Sequence, residues 1–118
     1  MLNKSKLVQR VFHALADPTR LAMFERLSRG PASVGELARP LPMSLPAVLQ
    51  HLAVLEADGL VHSEKVGRVR TCRIEPAALR TAGDWVAERR ALWERSLDRL
   101  GDYLSEEQDR YAKEETRR

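Results

Sequence analysis

The sequence predicts a mainly α-helical chain with one small β-hairpin, on three observations. Apolar residues recur three and four apart in four stretches before Asp58 and again after Pro76. Asp17, Ser33 and Ser44 stand where helix N-caps belong. Two valine-bearing runs, Val61 to Val66 and Val69 to Ile74, flank Gly67 as the arms of a hairpin do. Four helices, two strands and a fifth helix, in that order, make a winged helix-turn-helix.

The first helix is expected from about Lys4 to Ala16, with Leu7, Val8, Val11, Phe12 and Leu15 at helical spacing. Asp17-Pro18 restarts the chain: the carboxylate accepts backbone N–H groups, and proline at the first helical position forfeits no hydrogen bond. Leu21, Phe24 and Leu27 give the second helix a buried stripe, ended by Gly30-Pro31. Ser33 and Glu36 form a capping box for a short third helix whose inward residues are Val34, Leu37 and Ala38, closed by Pro40 and Pro42. Ser44 caps a fourth helix that tolerates Pro46 in its first turn, faces the core with Val48, Leu52 and Leu55, and ends at Asp58-Gly59. The hairpin carries Lys65, Arg68, Arg70 and Arg73 on or near it.

Pro76 opens a long last helix in which Leu79, Ala82, Val86, Trp93, Leu97, Leu100 and Leu104 are spaced mainly three, four or seven apart, with Trp85 and Leu92 widening the apolar face. A face that wide on a terminal helix needs a partner. Beyond Glu106 the chain is charged and poor in apolar residues, so residues 112–118 are expected to fray, leaving a single domain over 1–111.

At 118 residues, one modest core is expected. No run of about eighteen apolar residues occurs, and the amino terminus enters an amphipathic pattern without a signal-peptide segment, so a cytoplasmic location with no membrane partner is expected. One cysteine, Cys72, excludes an internal disulfide and a multi-cysteine metal cluster. The net charge of +3 is unevenly placed: residues 1–75 carry 11 Lys and Arg against 7 Asp and Glu, residues 76–118 carry 9 against 10. The basic half holds the helix-turn-helix, as polyanion binding would favour.

With Val48, Leu52 and Leu55 turned inward, the fourth helix presents Leu45, Pro46, Leu49, Gln50 and Ala53 outward. In a DNA major groove Gln50 suits adenine, and Leu45, Ala47 or Leu49 suits a thymine methyl. Ser44 and the free amides at the helix start suit a phosphate. Gln50 is otherwise an ordinary exposed amide, and His51, on the edge of the buried stripe, reads as a packing and hydrogen-bonding residue ahead of a base reader or metal ligand. Arg68 and Arg70 at the hairpin tip suit phosphate or the minor groove, against the plainer reading of a solubilising turn. Cys72 reads as a buried thiol, with a redox switch as the minority alternative given Arg70 and Arg73 nearby.

The segments Ala14 to Arg20, Ser33 to Ala38, Ser44 to Leu52, Leu55 to Val61 and Gly67-Arg68, taken in order, resemble the ArsR/SmtB family of winged-helix transcriptional repressors over about residues 8–104. The resemblance implies a homodimer joined through the first and last helices, with Leu7, Val11, Trp85, Leu92, Trp93, Leu97, Leu100 and Leu104 in the interface. It also implies fourth helices set in successive major grooves of a palindromic operator, about 10 base pairs apart. This chain departs from the family at Leu45 and Leu49, where relatives more often carry polar residues. It lacks paired cysteines on the third helix and histidine on the last, so no family metal site and no cofactor is expected.

A DNA-binding regulator, with double-stranded DNA and a second copy of itself as partners and an unidentified effector, is therefore the leading expectation. A winged-helix module that docks a protein through the exposed face of the fourth helix is the alternative. An enzyme is not expected: there is no phosphate-binding glycine loop and no nucleophile with a matched base.

Overall fold

The computed structural model describes residues 3–117, and their hydrogen bonds explain why each helix begins and ends where it does. Helix α1 (Lys4–Leu15) is capped by Asn3, whose side chain accepts the Lys6 N–H at 2.9 Å. Helix α2 (Pro18–Leu27) follows after two residues because Asp17 caps it, accepting the N–H groups of Thr19 and Arg20 at 2.9 and 3.0 Å. Arg20 then reaches back to the end of α1, donating from Nε to the Ala14 carbonyl at 2.7 Å and from Nη2 to that of His13 at 3.2 Å. One Asp-Pro-Thr-Arg run thus starts one helix and satisfies the orphan carbonyls of another.

Strand β1 (Ala32–Ser33) and helix α3 (Val34–Ala38) share Ser33, which pairs with Thr71 and also accepts the Glu36 N–H at 3.1 Å. The expected capping box is only half made: the Glu36 carboxylate meets the Ser33 hydroxyl and Arg26. Helix α4 (Leu45–Ala57) is capped by Ser44, which accepts the Ala47 N–H at 3.3 Å. Such a cap is worth about 1 kcal/mol. At its far end the Gly59 N–H donates to the Glu56 carbonyl at 3.0 Å and the Leu60 N–H to that of Leu55 at 2.9 Å, with Leu55 and Leu60 both buried. This is a Schellman cap, which needs the left-handed φ of 82° that Gly59 supplies.

Strands β2 (Val61–Val66) and β3 (Val69–Ile74) pair from Val61–Ile74 to Val66–Val69, with Gly67 and Arg68 as the turn. Gly67 has φ of 63° and no non-glycine residue among those described has positive φ, the pattern of a type II′ turn. The sheet order is β1-β3-β2. A third strand was not foreseen, since two residues are too few to show a period.

The chain divides into two compact units, Met1–Gly83 and Asp84–Arg118. In the first, Val11, Ala14, Met23, Phe24, Leu27, Ala32, Leu37, Val48, Leu52, Leu55, Leu60, Val61, Cys72 and Ala82 form one buried cluster. Each large side chain there contributes roughly 1.5–3 kcal/mol by leaving water. Leu21, expected on the buried stripe of α2, is 41% exposed, and Phe12 of α1 is 49% exposed. Helix α5 (Pro76–Arg117) opens in the first unit and continues through the second, remaining helical past residue 112 where fraying was expected. No described helix is long and apolar enough to cross a membrane.

Candidate nucleic-acid interface

Val48, Leu52 and Leu55 of α4 are buried, so the opposite face is committed to solvent. Leu45 and Leu49 lie on it, one helical turn apart, with 53% and 38% of their surface exposed. Pro46, Gln50, Ala53 and the cap Ser44 are exposed beside them, and Ala47 is half-buried. Leu45 and Leu49 share one open groove with Arg68, Val69 and Arg70 of the hairpin and with Ser33, Val34 and Gly35 at the start of α3. The structure therefore brings together Leu45, Leu49, Arg68 and Arg70; Gln50 and Pro46 are not among the residues lining that groove.

Three polar ties hold α4 to its neighbours. His51, half-buried, turns its Nδ1 toward the Asp17 carboxylate at 3.6 Å. Backbone donation from Arg20, then the charge of His51, holds the Asp17 carboxyl below its ordinary value against the opposing effect of burial. That cap's stabilisation is therefore present above the unfolded carboxyl pKa and is lost as pH falls through the folded one. Asp58, just past α4, meets His13 of α1 at 2.7 Å. Glu56 takes Arg70, with Nη2 to its two carboxylate oxygens at 3.1 and 3.0 Å.

The last tie gives Arg70 a partner within the protein. Read as a wing-tip cation, it instead points its guanidinium back at α4 and also donates from Nε to Ser63 at 2.7 Å. Arg68, in the turn itself, stays exposed at the tip. Glu56 carries no sequence signal of this contact, because its partner lies 14 residues away on a strand and the two meet only in the tertiary fold. Val66 and Val69 are exposed on either side of the turn, and Val69 lines the groove with Leu45 and Leu49.

In the unit beginning at Asp84, α5 displays an unbroken apolar seam. Val86, Trp93 and Leu100 are seven apart, as are Leu97, Leu104 and Tyr111, and all six are exposed, Trp93 by 67%. A 3-4 spacing of this kind is what two helices use to interlock. Leu92 and Tyr103 widen it, and Trp85 is half-buried with the Arg89 guanidinium 4.5 Å from its ring centre. On α1, Leu7 is half-buried, but Val11 is only 3% exposed and packs in the core of its own subunit, so it does not belong with the expected interface residues.

A helix-turn-helix domain model matches residues 15–64, the span from the end of α1 into β2. The HTH-type transcriptional regulator Rv2034 of Mycobacterium tuberculosis is 45% identical over 103 residues, covering 85% of this chain and 91% of the relative. A crystal structure of an ArsR family transcriptional regulator is 47% identical, covers 80% of this chain and 97% of its own, and superposes with a TM-score of 0.72. The chain belongs to the ArsR family of transcriptional regulators. The homodimeric winged helix-turn-helix DNA-binding domain of Mb0332 from Mycobacterium bovis, a possible ArsR-family regulator, is similar at 31% identity over 73% of this chain and 82% of its own, with a TM-score of 0.57.

In this ArsR-family chain, no group of three or more His, Cys, Asp and Glu side chains among the described residues is placed to hold a metal. Cys72 lies in the middle of the sheet with none of its surface exposed, opposite Ala32 on one side and Ser63 on the other. Burial, then the nearby Glu56 charge, pushes its thiol up, and Arg70 only partly offsets them. Both facts oppose the redox reading, which requires an accessible thiolate. In the native protein Cys72 is expected to resist a thiol reagent, becoming reactive on unfolding in denaturant; rapid labelling of folded protein would contradict its placement.

Proposed function

We propose that the protein is a sequence-specific DNA-binding repressor that acts in the cytoplasm as a homodimer on a palindromic operator. The observation that carries this is the outward face of α4: a helix anchored at three points leaves two leucines exposed in one groove with a basic turn, and a glutamine exposed on the same helix. A major groove about 12 Å wide admits such a helix. Gln50 then pairs with an adenine edge, Leu45, Ala47 and Leu49 pack on thymine methyls, and Ser44 with the first amides of α4 takes a phosphate. Arg68 reaches phosphate or the adjoining minor groove from the hairpin tip, the wing.

Self-association is supported by the exposed seam of α5 and by the homodimeric state of the Mycobacterium bovis relative. Leu7, Trp85, Leu92, Trp93, Leu97, Leu100 and Leu104 are the proposed contacts. Two reading helices across a twofold axis then address half-sites about 10 base pairs apart. A dimer lying over two successive grooves of a promoter excludes other proteins from it, which is why repression is the direction proposed.

The test is a salt titration of operator binding. Each neutralised phosphate contributes about 0.9 to the slope of log affinity against log salt. Arg68→Ala is expected to weaken binding to all duplexes and to flatten that slope by about one unit. A slope equal to that of the wild type would remove Arg68 from the interface.

A further inference from the structure

We propose that Glu56 is a positioning residue for DNA recognition: through Arg70 and Ser63 it sets the wing at a fixed distance and angle from α4. The inference rests on the reading of α4 and the wing as one DNA-binding surface.

The need for such a residue follows from the sheet. It is three-stranded only where β1 pairs with Thr71 and Cys72. From Arg70 outward to the turn, β2 and β3 form a two-stranded ribbon, and every residue from Glu64 to Arg70 is exposed. A bare two-stranded hairpin is marginally stable by itself, so without a brace this ribbon would pivot where the third strand stops.

The brace lies at that point. Ser63 and Lys65 oppose Cys72 and Arg70, so Arg70 shares the face of the ribbon that Cys72 turns into the core, one step beyond the core's edge. Its guanidinium spans the gap to Glu56 in the last turn of α4, using both carboxylate oxygens at 3.1 and 3.0 Å. Ser63 on the opposite strand joins both partners, accepting from Arg70 Nε at 2.7 Å and donating to Glu56. One carboxylate on the reading helix therefore grips both strands of the wing. Arginine suits this arrangement because its rigid plane holds two separate donors, Nη2 on the carboxylate and Nε on the hydroxyl, where lysine offers one flexible ammonium point.

Backbone amide order parameters of Val66 to Val69, measured by NMR on the free protein, test the brace directly. Glu56→Gln and Arg70→Lys are each expected to lower them, while Glu64→Gln, which removes a wing charge outside the network, leaves them unchanged. Because Arg70 is 45% exposed and Glu56 25%, the effect on operator affinity is expected to be moderate, roughly two- to fivefold weaker. The Arg68→Ala penalty should also shrink in the Glu56→Gln background, because a loose wing delivers Arg68 less often. Unchanged order parameters in both variants would overturn the proposal. So would tighter binding by Glu56→Gln with a steeper salt slope, which would make Arg70 a phosphate ligand that Glu56 restrains. If order falls while Arg68→Ala leaves wild-type affinity intact, the brace stands and the wing's contact with DNA is what fails.

Discussion

Leu49→Glu is expected to abolish specific DNA binding while leaving the fold intact. Leu49 sits in the middle of the exposed face of α4, one turn after Leu45 and on the wall of the groove that runs to the wing. A carboxylate there exchanges an apolar contact with a base edge for a charge held among phosphates, and the loss should be on the order of a hundredfold or more, comparable with one or two mismatched base pairs. Because the side chain touches solvent and not the buried stripe of Val48, Leu52 and Leu55, thermal stability should change little. Gel-shift titration paired with circular dichroism checks both parts. Normal operator affinity in a folded variant would move recognition off this face of α4.

The second large effect is expected on α5. Leu97→Glu combined with Leu100→Glu places two charges on a seam that is already in water in the single chain, so the subunit should keep its fold and lose its partner. A reading helix bound alone loses the advantage of a linked second half-site, and operator affinity should fall on the order of a thousandfold. Sedimentation checks the first step and operator titration the second. A dimer that survives both substitutions would place the interface elsewhere.

Helix starts were legible because caps and prolines act within three residues: Asp17, Ser33 and Ser44 each accept the backbone N–H expected of them. The hairpin was legible for the same reason, since Gly67 supplies the turn's one positive φ and valines flank it. The core stripe of α4 followed from its period. What the sequence concealed depends on distant partners. Strand β1 exists because Cys72 and Thr71 lie beside it, and nothing in Ala32-Ser33 alone announces a strand. Val11 and Leu7 share a helical stripe, yet one is buried in its own subunit and the other only half so, because the stripe is wider than the core that meets it. Arg70 was legible as a cation near a turn but not as the partner of Glu56, a helix-to-strand contact that only the tertiary fold makes.

The central claim, that paired α4 helices read a defined duplex sequence, is tested most directly by selection of bound fragments from a random-sequence DNA pool. The account predicts an enriched palindrome whose half-sites are centred about 10 base pairs apart. A bound pool with no enriched sequence, recovered with folded and dimeric protein, would contradict it.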